Sequence, residues 1–266
     1  MKQSLTAGML CFFLYFTFPF SVYSFYNESL TFGDPRSLSL GNVRALSRQL
    51  GNPASLSFRE KPLIGITVHN RFEMKELNTG EGYILFPNAW LDTGMKIARF
   101  GYSDYELWSG TFGLSKKITP FFSLGCNMHY SYERISPDES RSVLQTDIGM
   151  YFRLSEKVEA GLLAENPLSN DPYTVFALRG GIGWQVYPSC LLLIEFFSDF
   201  NQQFNLSMGV EYELLEQWVL RAGFRTDPGT PTFGLAYSVR SYTVDFHYSN
   251  HYLLGNSTSL GVSFHF

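Results

Sequence analysis

The chain closes on Asn256-Ser-Thr-Ser-Leu-Gly-Val-Ser-Phe-His-Phe266, and counting back by twos separates it into two faces. Phe266, Phe264, Val262, Leu260 and Thr258 fall on one; His265, Ser263, Gly261, Ser259 and Ser257 fall on the other. Successive side chains of a strand point to opposite sides, so the stretch predicts a β-strand with one apolar face and one small, polar face. A soluble sheet turns such an apolar face inward. A strand that places a bare aromatic at its last ladder position fits better in a wall whose apolar face meets lipid.

The same alternation runs back through the chain. Phe122, Leu124, Cys126, Met128, Tyr130 and Tyr132 oppose Ser123, Gly125, Asn127, His129, Ser131 and Glu133. Leu144, Thr146, Ile148, Met150, Phe152 and Leu154 oppose Gln145, Asp147, Gly149, Tyr151 and Arg153, and Phe204, Leu206, Met208, Val210 and Tyr212 oppose Asn205, Ser207, Gly209, Glu211 and Glu213. Aromatic residues make up 17% of the chain, yet its mean hydropathy is only −0.06. Beyond the N-terminus no stretch reaches the roughly 18 apolar residues of a membrane helix. Aromatic richness without a continuous apolar run marks a barrel in lipid, where lipid-facing and lumen-facing residues alternate and cancel. The predicted fold is an all-β, transmembrane antiparallel β-barrel of about 14 strands, or about 12 if Tyr83–Phe86 is only loop, and bacterial barrels favour even numbers. Trp108, Trp184, Trp218, Tyr132, Tyr242 and Tyr248 sit near strand ends, as interfacial girdle residues do. Tight turns fall on the side of the C-terminus and longer polar connections on the other, which predicts a periplasmic C-terminus.

The barrel is expected over residues 54–266, after two other parts. Residues 1–24 read as a signal peptide: Lys2, then an apolar run over Met9–Phe20, then Val22 and Ser24 at the positions that precede cleavage. Residues 25–53 contain no alternating run and predict a short, plug-like segment. Within it Val43, Leu46 and Leu50 follow Asn42 at helical spacing, so a helix is expected there, stopped by Gly51-Asn-Pro. A helix so short needs a surface to lie on, and a barrel interior supplies one.

Several stretches resemble the FadL-like outer-membrane proteins, and among them the PorV and PorQ branch of the Bacteroidetes. They are Gly33, Arg36, Ser37, Leu38, Leu40 and Gly41; then Asn52, Pro53, Ala54 and Leu56, leading into the first strand; then Ala164–Ser169 and Asn250–Gly255. The resemblance implies a place in the outer membrane of a Gram-negative bacterium, surrounded by outer-membrane lipid. It also implies delivery by the barrel-assembly machinery, with Phe264 and Phe266 as the assembly signal. Two functions follow from it: passage of a hydrophobic or amphipathic ligand, or a non-enzymatic partnership with an envelope protein of a secretion assembly. A purely structural barrel and a barrel enzyme are the remaining alternatives.

The lumen-facing parity collects the charges His69, Arg71, His129, Glu133, Asp147, Arg153, Arg179, Glu195, Glu211, Arg221, Arg225, Arg240, Asp245 and His247. Charges inside a barrel must be paired or wet, so a cross-lumen network holding barrel and plug is the plain reading. Asp245 and His247, two apart on one face, have the chemistry of a hydrolytic pair, but no G-x-S-x-G elbow accompanies them. Arg221, Arg225 and Arg240 suit an anionic ligand, or pairing with Glu211 and Glu213 on the preceding strand. Cys126 and Cys190 fall on the apolar face as small apolar side chains. No Cys/His spacing calls for a metal, and no cofactor is expected. The net charge of −4, or −5 once Lys2 leaves with the signal, supplies no basic patch for nucleic acid.

Overall fold

The computed structural model of the protein describes residues 33–102, 104–135, 139–171, 174–199 and 204–266. The expected signal peptide lies outside the described residues, as do residues 25–32 of the expected plug. Fourteen strands close into one antiparallel barrel: β1 (Leu63–Asn70), β2 (Asn78–Phe86), β3 (Asp92–Gly101), β4 (Tyr105–Thr119), β5 (Phe122–Ile135), β6 (Glu139–Arg153), β7 (Val158–Ser169), β8 (Ala177–Tyr187), β9 (Cys190–Asp199), β10 (Phe204–Leu215), β11 (Trp218–Arg225), β12 (Thr230–Val239), β13 (Tyr242–His251) and β14 (Gly255–His265). Each pairs with its neighbour in sequence, and β1 seals against β14 with Leu63 opposite His265 and Asn70 opposite Thr258. The 12-strand alternative falls because β2 is a full strand: Thr79–Leu85 pair with both β1 and β3.

The end where β1 begins and β14 stops is here the terminal end; the other is the far end. Two-residue turns at 120–121, 188–189, 216–217 and 240–241 close the terminal end, while the far end carries the seven-residue connections 71–77 and 170–176.

Parity decides which way each strand faces. On β1, Ile64, Ile66 and Val68 are exposed on the outer wall while Thr67 and His69 are buried. On β5, Met128 and Tyr130 are exposed while Asn127, His129, Ser131 and Glu133 are buried. A sandwich with apolar faces inward is therefore excluded. Trp108, Trp184, Tyr132 and Tyr242 are exposed on the wall, and Cys126 and Cys190 are free thiols on β5 and β9. Met128→Arg places a charge on this wall and is expected to lower stability by about 2–4 kcal/mol. Denaturant unfolding in detergent, against Met128→Leu as control, measures it.

Residues 33–59 form an inner segment packed against the inward faces of the strands. Helix α1 (Pro35–Ser39) starts on Asp34, whose carboxylate accepts from the Ser37 N–H at 2.9 Å. A six-residue 3-10 helix, Pro53–Phe58, starts on Asn52. The helix expected after Asn42 is absent. Gly41 and Asn42 both adopt positive φ (77° and 64°), and the N–H groups of Arg44 and Ala45 donate to Glu195 on the wall. The apolar stripe is real without the helix: Val43, Leu46 and Leu50 are all buried, and Val43 and Leu46 pack with Leu40, Ala54, Tyr151, Leu191 and Leu193. After Asn52, Pro53–Phe58 stays inside the barrel and β1 begins at Leu63.

Candidate functional site

The inner segment is held by barrel side chains aimed at its backbone. Ala54 O accepts from Ser115 Oγ (3.1 Å) and Ser123 Oγ (2.7 Å), and Leu50 O accepts from Asn127 Nδ2 (2.8 Å). Asn52 Nδ2 donates to Ala45 O (2.7 Å) and reaches the wall at Met150 O (3.2 Å). Room for this comes from inward glycines. A side chain at Gly125 would land on Ala54 N, at Gly149 on Asn52 Oδ1, at Gly161 on Ala45 O, at Gly223 on Gly41 N and at Gly234 on Ser39 Oγ.

Charges complete the anchoring. Arg36 on α1 makes a bidentate pair with Glu211 (2.7 and 2.9 Å), Glu211 also accepts from Arg221 (2.7 Å), and Arg221 donates to Asp245 (2.6 Å). Burial by itself would depress the Arg36 pKa, but the Glu211 charge and hydrogen bonds outweigh it and raise the value, so Arg36 stays charged. A second chain begins at Glu195, fully buried, which accepts from Arg44 N (2.8 Å), Ala45 N (2.6 Å) and Arg179 Nη1 (2.9 Å). Arg179 also pairs with Glu165 (3.1 Å), which pairs in turn with the Arg44 guanidinium. His129 bridges Asp147 (2.8 Å) and Thr111 (2.9 Å), and Glu133 accepts from Tyr105 Oη (2.7 Å). His69 lies 3.7 Å from Glu81, which Lys96 approaches equally.

Three of the expected lumen charges sit elsewhere or act differently. Arg240 is exposed in the turn between β12 and β13, at φ 54°, because that turn needs a left-handed residue where the sequence pattern continues the strand. Arg153 lies at the terminal end, with its guanidinium 4.3 Å from the Phe58 ring. Glu213 is exposed and stands opposite Val219, so of the two β10 acids Glu211 is the one that meets Arg221. Asp245 and His247 do not form a hydrolytic pair. Asp245 is taken by Arg221, while His247 Nδ1 lies 3.2 Å from Ser39 Oγ, whose proton goes to Pro35 O (2.7 Å).

Among the concave features of the described residues, two border the same side chain. At the far end a cavity of about 160 Å³ is lined by Arg44, Arg71, Arg179, Arg225, His69, His247 and His251, together with hydroxyl residues and Phe72. On the outer wall an apolar groove of about 460 Å³ runs between Ile148, Met150, Leu162, Leu178 and Phe196, and its floor reaches Leu163, Arg179 and Phe197. Arg179 thus borders both, with its guanidinium 4.3 Å from the Phe197 ring. The groove exists because Gly180 occupies an outward position on β8, where any side chain would crowd Leu162. Above it the wall is irregular. Pairing between β7 and β8 stops at Glu165 opposite Ala177, Asn166 turns to φ 55°, and the β6–β7 register shifts between Thr146 and Asp147. Pro167, which lacks an N–H, follows the break.

Sequence reasoning missed Asp34, Asn127, Glu165 and the inward glycines. Asp34 had a usable signal, since Asp-Pro-x-Ser reads as a helix start with Pro at its first position.

No protein-family model matches the sequence, and no curated protein matches it. Among solved structures the toluene transporter TodX of P. putida superposes with a TM-score of 0.67, at 10% identity over 89% of this chain and 99% of that one. The chain shares its fold with these barrels. A Pseudomonas aeruginosa FadL homologue superposes with a TM-score of 0.60, at 12% identity over 87% of this chain and 96% of that one. At such identities the FadL-type likeness is one of fold, and the residues lining the groove and cavity are this chain's own.

Proposed function

We propose that the protein is a FadL-like barrel of the Gram-negative outer membrane, its terminal end facing the periplasm, that passes a hydrophobic or amphipathic small molecule. The observation that carries this reading is the bulge in β7 at Asn166-Pro167, where pairing to β8 ends, beside an apolar groove whose floor, Arg179, also lines the far-end cavity. A compound enters at the far end, is stopped by the inner segment acting as a plug, and leaves sideways into lipid past Arg179 and Phe197. The route keeps an apolar molecule out of the charged lower lumen, where it would strip water from paired ions without replacing their partners. The likeness in fold to a toluene transporter is consistent with a small apolar cargo.

Gly180→Leu tests the route, because it fills the groove from the outside without touching the lumen network. Uptake of a radiolabelled monoaromatic hydrocarbon and of a medium-chain alcohol by cells producing this variant is expected to fall several-fold against wild type at equal outer-membrane levels. Unchanged uptake of both overturns the sideways route.

The packed lumen supports a second reading, a PorV/PorQ-like partner of an envelope or secretion assembly with no cargo. It predicts that wild-type and Gly180→Leu cells take up both probes no faster than cells lacking the protein, while a specific envelope protein co-purifies with each.

A further inference from the structure

Charged side chains are rare on the outer wall. Among the described strand residues, outward parity carries a charged side chain only at Arg99, Glu106 and Arg134 near the far end, and at Lys116 toward the terminal end. The far rims of other strands turn Asn70, Ser142, Ser198 and Asn250 outward instead. The three far-end charges are on adjacent strands, β3, β4 and β5, and form one unit. Glu106 accepts from Arg99 Nε at 2.8 Å through one oxygen and from Arg134 Nη2 at 3.0 Å through the other. Both guanidiniums are about half exposed, at 53% and 46%, and each has more donors than Glu106 uses. Trp108 stands opposite Arg99 in the β3–β4 register, with that guanidinium 5.7 Å from its ring, and opposite Tyr132 in the β4–β5 register, one outward position farther from the rim than Glu106 and Arg134. Trp and Tyr mark the depth at which lipid headgroups begin.

Arginines on a lipid-facing wall are tolerated at headgroup depth, and there they can meet an anionic group. A single carboxylate leaves the unit with a net positive charge, and its two oxygens hold both forks side by side. We propose that Arg99 and Arg134 form a binding site for the phosphate of a phosphorylated lipid headgroup in the leaflet at the far end. The guanidinium fork matches phosphate geometry, Glu106 fixes the spacing, and Trp108 and Tyr132 pack beneath the sugar or glycerol that carries the phosphate. The site rests on the reading of the chain as a membrane barrel and is independent of any passage through it.

The test is native mass spectrometry of the full chain in detergent, titrated with diphosphorylated lipid A and, separately, with phosphatidylcholine. Wild type is expected to retain lipid A about tenfold better than the Arg99→Gln/Arg134→Gln double variant, from the loss of charge-assisted hydrogen bonds, with no difference for phosphatidylcholine. Glu106→Gln keeps both forks and one neutral acceptor, removes the competing negative charge and is expected to retain lipid A at least as well as wild type. Heat-modifiable gel mobility confirms that each variant is a folded barrel. Equal lipid A retention by wild type and the double variant overturns the site. Equal retention together with an envelope protein that co-purifies with wild type alone reassigns the patch to a protein partner.

Discussion

Replacing Gly161 by leucine is expected to unseat the inner segment while leaving the ladder of strands intact. The new side chain would project into the carbonyl of Ala45 and against Asn52 Nδ2, at the point where Asn52 ties Ala45 to the wall and where Ala45 N donates to Glu195. Overpacking a dense interior costs about 1–3 kcal/mol and occasionally more. Here it also orphans buried backbone groups, at roughly 1–3 kcal/mol each, so the segment is expected to leave rather than compress. The readout is limited proteolysis after Arg44 and Arg48, absent in wild type and rapid in the variant, with the gel shift of a closed barrel retained. Gly80→Leu is the control, because nothing lies within 4 Å of a side chain there. Equal resistance of Gly161→Leu and wild type would show that the lumen has room the packing denies.

Deleting Phe266, or changing it to Asp, is expected to abolish the assembled protein in cells while altering its refolding in detergent only slightly. In the structure Phe266 is 54% exposed and stacks on Phe264 at 6.0 Å, which lies 4.8 Å from Tyr242. Aromatic pairs of this kind contribute about 0.5–1.5 kcal/mol, too little to decide whether a barrel of this size folds. A large loss in cells therefore has to come from failed recognition by the assembly machinery. Outer-membrane levels by immunoblot and refolding yield in detergent micelles separate the two contributions. Normal levels in cells would remove the role given to Phe266, and a matching collapse in detergent would make its role one of stability.

The wall was legible because a strand buried on one face writes its orientation into every second residue, as the run Phe122–Tyr132 does. The apolar outer wall and the polar interior keep that rule along most of each strand, with interruptions at the register shifts beside Lys117, Asp147, Gln185 and Glu213. The inner segment was less legible because its backbone is satisfied from outside itself. Val43, Leu46 and Leu50 have helical spacing, but Glu195, distant in sequence, takes the N–H groups that a helix at Arg44 and Ala45 would have used. The partners within the lumen were hidden for the same reason. Glu211 meeting Arg221 is a register pair and could be inferred from neighbouring strands. Arg36 meeting Glu211, or Asn127 meeting Leu50, depends on where a non-strand segment lies, which periodicity does not encode. The groove was not legible: Asn166-Pro167 lies within a stretch with family resemblance, but the end of β7–β8 pairing beside it depends on the register of β7 against both neighbours.

The seam between β1 and β14 sets the order in which such a chain can fold. Every other ladder joins strands that are consecutive in sequence, so hairpins can form with little loss of chain entropy, and the cost of bringing distant residues together falls on one closure. Until that closure, β1 and β14 each present a row of unpaired backbone groups to any other chain. The inner segment touches both sides of the gap: Pro35 packs near Gly261 on β14, and Leu50 and Leu56 pack in one cluster with Leu63 on β1. It therefore works as a mandrel around which an open sheet curls, shortening the search that its two edges make for each other.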